Sequence, residues 1–181
     1  MNEKEVIRRC QDGEKEAFDA LIRTHYPYVT KYLLKLSNNA DLTEDLTACY
    51  EIIREGRAFQ KEQGFEQWTE TYPNRETILD DIRNRKGYVV RSNGDIAGYM
   101  CIDFSGEPAY ADIKGEWRNA APYAVFYRMA FSKKYRGKGL TETAFKLIEE
   151  LCIKSGVKYI RVDTDFPNAR MQHVLKKERI Y

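Results

Sequence analysis

The sequence predicts an α+β fold: a mixed, mainly antiparallel sheet flanked by helices and preceded by a small all-helical segment. Three observations predict it. Apolar residues recur at three-to-four spacing from Glu3 to about Arg85, the period of helices. After Gly87 the texture changes to short apolar and aromatic runs, two of which flank the hairpin dipeptide Asn93-Gly94. A glycine-containing loop then joins one such run to an amphipathic helix, and a last strand-like run follows that helix.

Taken in order, Phe18, Leu21 and Ile22 and then Tyr32, Leu33 and Leu36 mark helical faces, and nothing before Arg85 reads as a strand. Pro27 cannot continue the bonding of a helix, so a break or a new first turn is expected there. Asn38 to Asp41 reads as a connector. A further helix is expected from near Thr43, where Glu44 and Asp45 suit an amino-terminal turn, to a stop at Gly64. Asn74, after Pro73, is placed to cap a short helix.

Tyr88 to Val90 and Ile96 to Ile102 then form an antiparallel pair around the turn. Tyr123 to Phe131 is a third strand and Tyr159 to Thr164 a fourth, in which Ile160 and Val162 alternate with Arg161 and Asp163. The helix between them buries Ala144, Phe145, Ile148, Leu151 and Cys152, and Gly156 closes it.

A length of 181 residues suits one ordinary domain, or one domain and a small attachment. The 30 basic residues nearly cancel the 28 acidic ones, so no whole-chain field argues for nucleic acid or an anionic membrane, and neither is an expected partner. Cys10, Cys49, Cys101 and Cys152 are widely spaced, as reduced thiols of a cytoplasmic protein would be. The amino terminus lacks a signal-peptide profile, and no apolar run approaches the ~20 residues that span a bilayer. His25 and His173 are the two histidines and read as structural; no metal is expected.

The loop Lys133-Lys134-Tyr135-Arg136-Gly137-Lys138-Gly139-Leu140 supplies what a phosphate needs. Its glycines let the backbone approach closely, the helix that follows offers unpaired amides, and Lys134, Arg136 and Lys138 add full charges. It departs from both the nucleotide-hydrolase loop and the dinucleotide fingerprint. A tight strand-to-helix turn also favours glycine, so the loop alone supports a structural reading as well.

Lys134 to Gly139 resembles the Gln/Arg-x-x-Gly-x-Gly/Ala signature of the GNAT superfamily of acetyl-coenzyme A dependent N-acyltransferases, with lysine at the first position. Gly64 to Trp68, Gly106 to Tyr110, Pro122 to Val125 and Asn168 to Met171 are similar to one branch of small bacterial members, so the resemblance spans about residues 45–177. It implies acetyl-CoA as co-substrate and a small-molecule or peptide amine as acceptor. The amides of Arg136, Gly137, Lys138, Gly139 and Leu140 would hold the pyrophosphate, with a hydroxyl from Thr141. Met129, Ala130 and Phe131 would offer backbone groups to the pantetheine arm, and Asn168 would contact it or cap the last helix.

Acyl transfer needs a base for the amine and often an acid for the departing thiolate. Pro122 to Phe131 holds no carboxylate, so Tyr127 and Asp163 are the candidate catalytic residues, and Leu175 stands where many relatives carry a tyrosine acid. The resemblance also leaves out the family's first strand, whose place helices are expected to take, and its two closing strands, because the chain ends at Tyr181. An exposed sheet edge would follow, met by a homodimer or leaving a poorly active remnant. Residues 1–44 are similar to the start of the core-binding region of extracytoplasmic-function RNA polymerase sigma factors, through Val6 to Gly13, Glu16 to Phe18, Tyr26-Pro27 and Asp41 to Leu46. Two units are therefore expected, a helical segment 1–44 and an acetyltransferase-like domain 45–181. Polymerase core is a partner implied by the first, for which a plain helical cap is the alternative.

Overall fold

Among the described residues five strands form one sheet in the order β1-β2-β3-β4-β5: β1 Tyr32–Lys35, β2 Gly87–Ser92, β3 Asp95–Asp103, β4 Tyr123–Phe131 and β5 Tyr159–Arg161. The structure, a computed structural model, describes residues 32–35 and 42–178. The first three pairings are antiparallel and the fourth is parallel. A parallel neighbour requires a long crossover, which α3, Leu140–Lys154, provides.

Asn93 (φ 53) and Gly94 (φ 86) turn the β2–β3 hairpin with Ser92 opposite Asp95, as the Asn-Gly pair predicts. Helix α1, Leu42–Glu62, ends just before Gly64, and α2, Arg75–Arg83, starts at Asn74. There Asn74 Oδ1 accepts from the Thr77 amide at 2.9 Å while Thr77 Oγ1 accepts from the Asn74 amide at 3.3 Å. This reciprocal cap satisfies two donors that a helix start leaves over.

The all-helical segment expected before residue 45 is contradicted at Tyr32–Lys35, which pairs with β2 from Tyr32↔Arg91 to Lys35↔Tyr88. A four-residue run is too short to declare a period, and the free edge of β2 supplies the ladder. The first strand that the sequence reading left out is thus in place. The helical faces around Phe18 and Leu36, the break at Pro27 and the sigma-like residues before Leu42 lie outside the described residues, apart from β1 itself.

Helices cover both faces of the sheet. On one, Leu46, Cys49, Ile52 and Ile53 of α1 and Ile78 and Ile82 of α2 pack with Val89, Tyr99 and Ala130. On the other, Leu140, Ala144, Phe145 and Ile148 of α3 and Leu175 of α4, Ala169–Lys177, pack with Tyr88, Val90, Met100, Ile102 and Phe126. Neighbouring strand residues thus serve opposite cores, which is the period of two. Each fully buried aliphatic or phenyl side chain contributes about 1.5–3 kcal/mol.

Two irregularities position the site. Tyr99 pairs with Ala130 but Cys101 with Tyr127, so Arg128 and Met129 together oppose Met100. This β-bulge places Arg128 at φ 54, in the left-handed region. The strand expected over Tyr159–Thr164 is shorter for a related reason: its pairing stops at Val125↔Arg161. The added twist at the bulge turns β4 from its parallel neighbour, and the two strands part.

Lys86 Nζ donates to Asp103 Oδ2 at 2.6 Å, and the Ser105 amide and hydroxyl donate to Oδ1. Burial works to raise the Asp103 carboxyl, but these bonds outweigh it and hold it below the usual carboxylate range. A depressed folded pKa contributes stability present above the unfolded value, near 3.9, and lost as pH falls through the folded one. Thermal melts below about pH 4 should therefore fall less steeply for Asp103→Asn than for the parent protein.

Candidate active site

Where β4 and β5 part, the outer edge of β4 from Phe126 to Phe131 has no strand partner among the described residues. The Ser132 amide donates inward to the Ala97 carbonyl at 2.9 Å. Alternation therefore turns the backbone groups of Phe131 outward, where the Phe131 carbonyl accepts from Arg136 Nε at 3.1 Å. A cleft of about 790 Å³ opens along this edge. Met129, Ala130 and Phe131 line one side of it, α1 contributes Phe59 and Gln60, and the start of α4 closes the far wall.

The glycine loop forms one end. Gly137 (φ 74) and Gly139 (φ 70) are both left-handed, and Gly139 is the N-cap of α3. A Cβ at either would meet nothing within 4 Å, so it is backbone angle and not crowding that selects glycine there. Leu140 and Thr141 of the first turn also line the cleft. The first amides of a helix lack intrahelical partners and carry partial positive charge.

Arg136 reaches over the Phe59 ring at 4.7 Å, and Arg170 from α4 reaches the same ring at 5.1 Å. Neither guanidinium has an ion-pair partner among the described residues, and buried Arg136 Nη2 has no hydrogen-bond partner. A cleft that combines free helix amides, an orphaned guanidinium nitrogen and a second arginine held by Gln63 Oε1 at 3.3 Å but without a carboxylate partner among the described residues fits a pyrophosphate-bearing guest.

Of the loop residues expected to bind phosphate, Lys134 and Lys138 fall outside the cleft lining. Lys134 Nζ donates to Asp95 Oδ2 at 2.6 Å, and Lys138 lies 5.4 Å from the Tyr135 ring centre. The tight turn Lys133–Tyr135 rotates Lys134 toward the β2–β3 hairpin, where its charge is already matched. Asn168 caps α4, its Oδ1 accepting from the Met171 amide at 3.1 Å, and it also lines the cleft. Its Nδ2 donates to Gln67 Oε1 at 3.4 Å.

A smaller cavity of about 160 Å³ adjoins the first, sharing Gln60, Trp68, Met129, Asn168 and Met171 with it. Trp68 stands at this junction because Gly56 of α1 leaves room for it; a Cβ there would lie 2.6 Å from the indole. Tyr127 and Asp163, the expected catalytic pair, both line the smaller chamber. Tyr127 is not free to accept a proton. Burial and its 2.7 Å donation to Glu107 Oε2 push its phenol well above the usual range. Asp163 accepts from the Tyr110 hydroxyl and keeps the rest of its carboxylate open to solvent.

Phe59, Glu107, Arg128 and Arg170 are site residues that the sequence reading did not single out. Glu107 caps a short 3-10 turn through the Ala109 amide, and that bond, with Tyr127, holds its carboxyl below the usual range. His173, read as structural, lines the large cleft. Cys49, Cys101 and Cys152 are buried free thiols. Among the described residues no helix is long and apolar enough to cross a membrane, and no group of His, Cys, Asp and Glu could hold a metal ion.

A sheet that parts at a bulge, with a glycine loop and a helix N-terminus at the end of the gap, has room and donors for an extended phosphate-bearing arm along a strand edge. Residues 40–179 match the family model of the acetyltransferase (GNAT) family, and the chain belongs to that family. A GNAT-family acetyltransferase from Streptococcus agalactiae is similar in structure at TM-score 0.68 and 31% identity, over 83% of this chain and 85% of that one. One from Listeria monocytogenes reaches TM-score 0.63 at 18% identity, over 82% and 84%. An acetyltransferase from Clostridium acetobutylicum with acetyl-CoA reaches 0.51 at 14%, over 81% and 87%. The last two likenesses speak for the fold alone. No curated protein matches the chain. The comparisons lend no support to a sigma-factor segment in residues 1–44.

Proposed function

We propose that this acetyltransferase moves the acetyl group of acetyl-CoA to an amine, with the cofactor in the large cleft and the acceptor in the small chamber. The observation that carries this reading is the joined pair of cavities. Unpaired phosphate donors lie at one end, an open carboxylate at the other, and both chambers meet at Trp68, Met129 and Asn168.

Acetyl-CoA supplies an acyl group activated as a thioester. Arg136, the amides of Gly137, Gly139, Leu140 and Thr141, and Arg170 hold the phosphates. The backbone groups of β4 that face away from β3, at Phe131 and across Ala130 at Met129, align the arm by adding a ladder where β5 is missing. Asp163 is the base: its open carboxylate takes the proton of the acceptor ammonium, directly or through one water, and passes it to solvent. Tyr110 positions that carboxylate, and Glu107 fixes Tyr127 as part of the chamber wall. The amine nitrogen then bonds to the carbonyl carbon, the carbon–sulfur bond breaks, the nitrogen releases its remaining extra proton to water, and the departing thiolate takes up a proton from water.

Release of free thiol from acetyl-CoA in the presence of an amine tests the reaction. Asp163→Asn should lower kcat/KM by about 10²- to 10⁴-fold near neutral pH, with the deficit shrinking as pH approaches the amine's own pKa. A variant as active as the parent protein across that range would remove Asp163 from the mechanism.

A further inference from the structure

We infer that the acceptor is an α-amine whose neighbouring carbonyl is uncharged, as in an aminoacyl amide or a peptide amino terminus. The inference rests on the acetyltransferase reading and adds the substrate class. Two charged side chains, Asp163 and Arg128, line the small chamber among the described residues. Their charges are not equivalent.

Asp163 has no cationic partner among the described residues; the neutral phenol of Tyr110 donates to it. It therefore attracts an ammonium. The charge of Arg128 is already met: Nε and Nη2 both donate to the Asp81 carboxylate, the first at 3.0 Å. What remains toward the chamber is Nη1, which donates to Tyr72 Oη at 2.9 Å. Because that oxygen accepts from the arginine, the Tyr72 hydroxyl proton is left to donate elsewhere.

Among its polar groups the chamber thus offers one unmatched negative charge, a guanidinium edge whose charge Asp81 already matches, and a neutral donor on Tyr72. A ligand that complements it carries one ammonium and one uncharged oxygen. A free amino acid would bring a second carboxylate into a site whose cation is spent, beside an acid that repels it. An amine without the oxygen would leave the donors unpaired.

The strain at Arg128 points the same way. A left-handed φ of 54 on a residue with a Cβ costs free energy and persists where the fold holds it in place, here through Asp81. It aims the guanidinium edge into the chamber. Thr164 Oγ1, buried on the lining without a partner, is a further polar atom for the ligand. The size agrees. At about 160 Å³ the chamber resembles cavities of roughly 150 Å³ that take up six heavy atoms. That is one small residue, and Tyr72, 47% exposed, gives anything attached beyond its carbonyl a way out to solvent.

The test compares alaninamide with n-propylamine as acceptors, in the parent protein and in Tyr72→Phe. The two amines differ in basicity, so the readout is the change in their kcat/KM ratio between the two proteins. Losing one neutral hydrogen bond should lower the ratio about tenfold in Tyr72→Phe. An unchanged ratio with turnover intact overturns the inference, as does a parent protein that prefers free alanine to alaninamide. Failure to acetylate any amine would instead overturn the acetyltransferase reading. Alanyl-alaninamide separates the two sources: equal or faster turnover than alaninamide identifies a peptide terminus, slower turnover a small amide.

Discussion

Asp81→Ala is expected to lower the unfolding free energy by about 3–5 kcal/mol, the cost of stranding a buried charge. At roughly 2–4 °C per kcal/mol for a chain of this size, the melting temperature should fall by on the order of 10 °C. Asp81 lies on α2 and accepts three bonds at once: two from Arg128 on β4, and one at 2.6 Å from the Tyr99 hydroxyl on β3. Both ends of the ion pair are nearly sealed from water, at 9% and 11% side-chain exposure. Alanine would leave the phenol and two of the three guanidinium nitrogens without partners and the charge unmatched, which costs far more than an exposed pair is worth.

The same loss reaches the cleft, because Asp81 holds the bulge that parts β4 from β5. Acetyl-CoA binding should weaken along with stability. The double variant Asp81→Leu with Arg128→Met, which removes both charges, should recover most of the stability. A melting temperature unchanged in Asp81→Ala would mean that the pair contributes nothing measurable to the fold.

Local signals carried well from sequence to structure. Asn93-Gly94 specified its turn, Asn74 its cap, and the stripe from Ala144 to Cys152 its buried face, because each rests on residues within one turn or one helix. Features built from distant residues did not carry. Tyr32–Lys35 is a strand only because β2 lies beside it, 53 positions later by the pairing of Lys35 with Tyr88. Arg128 reads as an ordinary strand residue until Asp81, 47 positions away, is seen to hold it in the left-handed region.

The site shows the same division. Glycines 137 and 139 were legible because the loop, the helix start and the charges are contiguous. Lys134 and Arg136, two residues apart, look equally suited to phosphate, yet one is matched by Asp95 and the other is left with an unpaired nitrogen over Phe59. Arg170 and Glu107 became visible as site residues only through Phe59 and Tyr127. No spacing rule links those pairs.

The cofactor cleft is the central claim, and calorimetric titration with acetyl-CoA of the parent protein, Gly137→Glu and Gly137→Ala tests it most directly. A side chain at this position meets no protein atom within 4 Å of its Cβ, so the glutamate has open space to enter the phosphate end of the cleft. Both variants bear the strain of a left-handed backbone, about 1–2 kcal/mol; only the glutamate adds a like charge, worth several kcal/mol more. The account predicts saturable binding by the parent protein, retained in weakened form by Gly137→Ala and reduced on the order of 100-fold or more in Gly137→Glu. Equal affinity of the parent protein and Gly137→Glu would contradict it.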